Sequence, residues 1–293
     1  MLRIEAGPRR LRRLPDGVEP EPYTRFTVVP MSPTIGAEIG GVSIAEPVDN
    51  ELLAELDRAL LEWKVLFFRD QPVTSEQHRD FAQRWGELER HPFLPEGEVP
   101  EIVRFDRGDQ NQGYENIWHS DVSWREIPSL GSVLRSIAVP AVGGDTLFAD
   151  MACAYDGLPD EVKDRIDGLT AVHDWGHSFG RGMDAEQFEQ MRRDFPAVEH
   201  PVVRTHPQNG RKILYVNEIF VSHIVGLEPH ESDALLAYLA SRARIPEYQC
   251  RFRWTADAIA FWDNRVTQHY AVSDYAPQRR IMERATIIGE RPF

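Results

Sequence analysis

The chain has 293 residues, 42% of them hydrophobic and 10% aromatic, enough apolar material for a sizeable core and against a disordered or fibrous protein. Its formal charge of −14 repels nucleic acid and anionic membrane surfaces, so an anionic partner has to meet locally clustered arginines. Two distant cysteines, Cys153 and Cys250, form no CxxC pair, and no apolar run approaches the roughly 20 residues that span a bilayer, which together predict a protein of the reducing cytoplasm without a membrane partner.

The opening stretch, residues 1–24, mixes paired arginines with prolines and acids and has no apolar period, which predicts a mobile extension ahead of one domain over 25–293. "RFTVVPMSPTIGAEIGGVSI" then reads as short strands broken by Gly and Pro. "NELLAELDRALLEWK" places Leu53, Leu56, Leu60 and Trp63 on one stripe, as an amphipathic helix does. A buried strand, "VLFF", follows, and then a helix starting at Thr74 or Ser75 as N-cap and ending near Gly86. A Pro-rich loop over "ERHPFLPEGEVPEIVRF" leads to a strand, turn, strand pattern from about Ile117 to Phe148, with "GGD" at the turn.

Helical patterns return at "MACAYDGLPDEVKDRIDGL", "DAEQFEQMRRDF" and "EPHESDALLAYLASRA". Strands resume at "KILYVN", "QCRFRW", "AIAFWDN" and "RIMERATII". Long insertions rather than regular crossover helices separate the strands, which disfavours a doubly wound parallel sheet and predicts a mainly β, α+β chain: a jelly roll with helical insertions.

"NIWHSDVSW" carries the first chemical signal. On a strand, His119 and Asp121 would share a face, as two metal ligands or as an ordinary surface pair. The segment "AFWDNRVTQHYAVSDYAPQRRIMERATI" adds His269, then Arg280 and Arg284 on one face of a further strand together with Met282. Two histidines and a carboxylate suit the facial triad of a non-haem iron(II) oxygenase, and the lack of thiolate argues against structural zinc. A planar guanidinium beside such a triad suits bidentate capture of a carboxylate, which makes Arg280 a candidate anchor for 2-oxoglutarate. Other clusters are weaker. His173 and His177 in "HDWGH" could bind zinc on a helix, although Gly176 fits a loop; His200 and His206 precede prolines and read as structural. "GGD" lacks the rest of a phosphate-binding loop.

"WHSDVSW", "GGDTLFADM", "HPVVRTHPQNGRKILYVN", "FWDNRVTQHYAVSDYAPQRRIMERAT" and the ending "GERPF" together resemble the taurine dioxygenase family of iron(II)/2-oxoglutarate-dependent oxygenases, from about Thr27 to Phe293. The resemblance implies a double-stranded β-helix. It implies iron(II) at His119, Asp121 and His269, with 2-oxoglutarate and dioxygen as co-substrates. Thr146 and Arg280 resemble the pair that holds the far carboxylate of 2-oxoglutarate, and Arg284 the arginine that takes the substrate's anionic head group. His91 matches a substrate-loop histidine, and Ser178 with Phe179 a segment lining the substrate pocket. A homo-oligomer, dimer or tetramer, is implied as well.

Two departures stand out. Leu94 replaces a tyrosine in "HPFLPEG", and Glu115 replaces an asparagine four residues before the first ligand. Taurine is therefore disfavoured while Arg284 keeps an anionic substrate. The expected reaction is hydroxylation of a small organic anion, an alkyl sulfonate or sulfate ester, with succinate, carbon dioxide and an unstable product that releases sulfite or sulfate. The rivals are the same chemistry on a carboxylate or amino-acid-derived substrate of secondary metabolism, which Glu115 would suit if it receives a cationic group, and a non-catalytic metal-binding sensor on the same fold.

Overall fold

The computed structural model describes residues 11–94, 98–109, 111 and 115–293. In chain order the elements are β1 (Thr27–Pro30), β2 (Ala37–Gly40), α1 (Asn50–Trp63), β3 (Val65–Phe68), α2 (Ser75–Ala82), β4 (Ile102–Arg107), β5 (Ser129–Ala138), β6 (Thr146–Asp150), α3 (Met151–Asp156) and α4 (Asp160–Ile166). They continue with β7 (Thr170–His173), α5 (Gly176–Phe179), α6 (Ala185–Asp194), β8 (Val198–Pro201), β9 (Val203–Thr205), β10 (Lys212–Leu214), β11 (Val221–Ile224), α7 (Pro229–Ala240), β12 (Gln249–Phe252), β13 (Ile259–Asp263), β14 (Thr267–Ala271) and β15 (Arg280–Ile288).

Seven strands form the major sheet in the order β1-β2-β3-β13-β5-β15-β4, and β12-β6-β14 form a smaller one. The non-sequential strand order is that of the expected jelly roll, and α1 and α2 are packed outside it. Period-two alternation explains how each sheet face is used. On β13, Ile259 and Phe261 join Leu56, Leu60 and Trp63 of α1 and Phe81 of α2 in one core. Ala260 and Trp262 point the other way, into a second core with Phe67, Phe148, Phe252 and Met282. On β15, Glu283 faces α2 and accepts from Ser75 Oγ at 2.9 Å, while Arg280, Met282 and Arg284 line the interior.

The N-cap of α2 is Thr74, whose hydroxyl accepts from Gln77 N while the Gln77 side chain returns to Thr74 N. Pro229 opens α7 at a position where its missing N–H costs nothing. Two expectations need correcting. Residues 117–128 are not a strand: His119 makes an isolated bridge to His269, and 121–124 form a turn with Val122 at φ 45°. Of the expected mobile extension, residues 1–10 lie outside the described residues, but 11–24 lie against the body. Lys64 Nζ donates to the Arg13 carbonyl at 2.8 Å, and the Arg13 guanidinium stacks over Trp63 at 4.3 Å. Among the described residues no helix is long and apolar enough to cross a membrane.

Candidate active site

Three segments far apart in sequence meet inside the roll. His269 sits on β14, and His119 is fastened beside it by reciprocal backbone bonds, His119 N to His269 O at 3.1 Å and His269 N to His119 O at 2.8 Å. The turn after His119 then folds Asp121 back toward both imidazoles. Asn264 holds that turn from both sides: its Oδ1 accepts from Asp121 N at 2.7 Å and its Nδ2 donates to Asp121 O at 2.9 Å. Ser120 is directed elsewhere, its hydroxyl donating to Thr267 O at 2.9 Å. A β-branched residue at positive φ is strained, and Val122 tolerates it here because its neighbours are held so firmly.

One ligand atom from each of His119, Asp121 and His269 lies within 4.8 Å of the others, all three residues buried. Both Nε2 atoms stand 3.9 Å from Asp121 Oδ1, near it without a hydrogen bond. His119 Nδ1 is 2.7 Å from the Ile117 carbonyl, which fixes the proton on Nδ1 and leaves the Nε2 lone pair for a metal. Burial alone would raise the Asp121 carboxyl, but Arg284 and the imidazoles outweigh it and hold the group down to about 2. Burial, with His119 beside it, lowers His269 to about 3, so it stays neutral. Two imidazoles and a carboxylate, with no thiolate, fit iron(II) and leave coordination positions open.

The same cavity is lined by Thr146, Arg280 and Arg284, with Phe105, Leu134, Trp262 and Met282 as apolar walls. Arg280 Nε donates to Gly144 O at 3.1 Å, whereas its Nη2 is buried with no partner. Gly144, at φ 71°, is required here because a Cβ would come within 3.1 Å of Arg280 Cδ. Thr146 Oγ1 accepts from Trp254 Nε1 at 2.9 Å, so its own hydrogen is free to donate into the cavity. An unpartnered guanidinium beside a free hydroxyl donor fits the distal carboxylate of 2-oxoglutarate. Arg284 Nη1 donates to Asp121 Oδ1 at 2.6 Å, and its Nε is buried without a partner.

The remaining sequence candidates divide. His91 is buried, its Nδ1 accepts from Phe93 N at 3.2 Å, and burial together with the charge of Arg284 lowers it to about 3. Phe179 stacks on Phe93 with centroids 4.9 Å apart and stands 5.4 Å from His91. Phe220 continues this aromatic wall to His119, at 6.2 Å from Phe179 and 6.5 Å from the imidazole. Ser178 donates to Trp175 O at 2.9 Å, within its own helical turn. Leu94 is half-buried, and none of His91, Leu94, Ser178 and Phe179 lines the cavity that holds His119 and His269. Glu115 does line it, but paired with Arg107 at 2.5 Å. His173 ends β7 and contacts Ser123 Oγ at 3.0 Å, and His206 Nε2 meets Asp263 Oδ2 at 3.0 Å; both are structural. Asn264, Ser132, Trp254, Arg107, Phe93 and Phe220 were not singled out in the sequence. Each acts through a partner brought close only by folding.

Residues 27–286 match the family model described as taurine catabolism dioxygenase TauD, TfdA family. The chain belongs to this family. The chain is thus a dioxygenase of the family, which sets aside the non-catalytic sensor. The α-ketoglutarate-dependent sulfate ester dioxygenase of Pseudomonas putida is 38% identical over 273 residues, 90% of this chain and 90% of that one. The alkylsulfatase of Acinetobacter baylyi is 35% identical over 264 residues, 87% of this chain and 83% of that one. A crystal structure of a taurine dioxygenase from Burkholderia xenovorans superposes with a TM-score of 0.79 at 36% identity, covering 92% of this chain and 91% of that one.

Proposed function

We propose that this dioxygenase hydroxylates a small alkyl sulfate or sulfonate, using iron(II) held by His119, Asp121 and His269, with 2-oxoglutarate anchored at its distal carboxylate by Arg280 and Thr146. The observation that carries the reading is the buried, unpartnered Nη2 of Arg280 in the cavity lined by His119 and His269 of the triad. When bound, the metal would activate dioxygen with the electrons of 2-oxoglutarate, which leaves as succinate and carbon dioxide. The chain's own part is binding and exclusion. Arg284 supplies a fixed cation for the head group beside the metal ligands, and Phe105, Trp262 and Met282 keep water from the reacting atoms, while a place for His91 and Phe179 beside the substrate rests on the family resemblance.

A hydroxyl placed on the carbon that bears the sulfo or sulfooxy group gives a product that collapses to an aldehyde, releasing sulfite or sulfate. The sulfate ester and alkylsulfatase relatives support this substrate class. The rival substrate with a cationic group loses its support, because Glu115 is already neutralised by Arg107. Both cysteines are free and buried, which suits a cytoplasmic protein. The homo-oligomer, a dimer or tetramer, and the single domain over 25–293 remain part of the proposal on the resemblance alone.

The test is a panel of alkyl sulfates, alkyl sulfonates, phenoxyacetates and amino acids, with iron(II) and 2-oxoglutarate, read as succinate and as sulfate or sulfite. Stoichiometric succinate and sulfate or sulfite is expected from one of the first two classes. Arg284→Ala should raise the KM of that substrate by roughly 10- to 100-fold while 2-oxoglutarate binding changes far less. Succinate release driven best by an amino acid would overturn the substrate assignment.

A further inference from the structure

Arg280 is a cation without an anion. Its side chain is buried, and among the described residues no carboxylate stands within ion-pair distance of it. Two carboxylates are nevertheless close by: Glu115 lines the same cavity, and Asp145 follows Gly144, whose carbonyl Arg280 Nε meets. Each is engaged by a different arginine: Glu115 by Arg107 Nη2 at 2.5 Å, and Asp145 by Arg251 Nε at 2.7 Å.

The strands set up both pairs. Arg107 is the residue directly opposite Arg280 in the β4–β15 register, and it lines the same cavity. Glu115 is brought there by its backbone, whose carbonyl accepts from Ala271 N at 3.2 Å just past His269. Asp145 precedes Thr146, its carbonyl accepting from Val272 N at 2.9 Å, while Arg251 pairs with Leu147 across the β12–β6 ladder. A buried guanidinium takes the nearest carboxylate unless that carboxylate is held elsewhere, because each unpaired buried charge is costly. An acid closed onto Arg280 would compete directly with the co-substrate.

We propose that Arg107 and Arg251 are positioning residues that hold Glu115 and Asp145 off Arg280, so that the distal carboxylate of 2-oxoglutarate meets a free guanidinium. The inference rests on the reading of Arg280 as the co-substrate anchor. It makes the Arg107–Glu115 pair a determinant of 2-oxoglutarate affinity rather than a receptor for the primary substrate. The pair also carries no net charge, leaving Arg280 as the cation for the distal carboxylate.

The test is anaerobic calorimetric titration of the full-length Mn(II)-loaded protein with 2-oxoglutarate. Arg280→Ala should abolish measurable binding, and if it does not, the reading of the anchor fails rather than this inference. Arg107→Ala should weaken binding roughly tenfold, and Arg251→Ala should weaken it in the same direction. Arg107→Ala combined with Glu115→Gln should return to within about threefold of the wild type, since the competing acid is then gone. Rescue by removing a second charge is not expected of a side chain that only supports the fold. Wild-type affinity in Arg107→Ala, or a double variant as weak as the single, overturns the proposal. Glu115→Gln alone should bind at least as tightly as the wild type, and weaker binding overturns the proposal even if Arg107→Ala does not fold.

Discussion

Asp121 shows how much of the proposed metal site lies behind its ligands. Its Oδ2 accepts from Ser132 Oγ at 3.0 Å, its backbone is clamped by Asn264, and its Oδ1 faces both imidazoles. Ser132 is fully buried on β5, and its hydroxyl helps fix the rotation of the carboxylate, so that Oδ1, which also accepts from Arg284 Nη1 at 2.6 Å, faces the imidazoles. Ser132→Ala should weaken Mn(II) or Fe(II) binding by roughly tenfold in anaerobic calorimetry, with a stability loss of about 1 kcal/mol. Unchanged metal affinity would mean that the turn at Val122 orients the carboxylate unaided. Two of the three proposed ligands were legible in "WHSDVSW" because HxD is a local pattern. Ser132 and Asn264 were not, since neither spacing nor composition tells which serine on a strand will face a carboxylate eleven residues back.

At the level of elements, the start of α2 was readable to the residue, since Thr74 and Gln77 cap it locally, and the expected stop near Gly86 closes a 3-10 turn, Gln83–Trp85, that follows the helix. Its tertiary anchor was not. His78 is fully buried, and its Nε2 is 2.8 Å from the Val133 carbonyl on β5, across a contact that only the folded sheet creates. Burial is the main reason its pKa falls to about 4, only partly offset by that hydrogen bond. The folded value lies below the ordinary histidine value near 6.5, so the unfolded chain takes up the proton first. His78 therefore costs nothing above about pH 6.5 and destabilises the fold progressively as pH falls from there toward 4, by at most about 3 kcal/mol. His91 and His173 are depressed too, so the whole acid slope does not belong to α2. His78→Gln keeps a donor for Val133 O without titrating. Chemical unfolding from pH 7 to 4.5 should show a shallower loss for the variant than for the wild type; parallel curves would assign the acid sensitivity elsewhere.

For the whole molecule, the jelly roll followed from strand order and the cavity from Arg280, Met282 and Arg284 sharing one strand face, but the fate of the N-terminal segment did not follow from its composition. "LRRLPDG" carries the charges and prolines of a detachable arm. What docks it is not its own periodicity but the body's buried cation. Lys64, 2% exposed, turns its Nζ to Arg13 O at 2.8 Å, Thr34 O at 2.7 Å and Glu62 O at 3.1 Å, with Asp150 Oδ2 at 3.4 Å. Arg211 Nη1 reaches Arg12 O at 3.1 Å, and Arg12 and Arg211 both pair with Asp156. The segment thus supplies carbonyl acceptors to two buried cations, with side-chain contacts from Arg12 and Arg13 beside them, and no apolar period announces either. Removing residues 1–16 should cost about 1–3 kcal/mol in lost acceptors and packing, a fall of several degrees in Tm by calorimetry. None of these groups lines the cavity of Arg280, so the KM for 2-oxoglutarate should hold in the shortened protein. An unchanged Tm would return the segment to the mobile arm its composition describes; a raised KM at unchanged Tm would tie it to the active site instead.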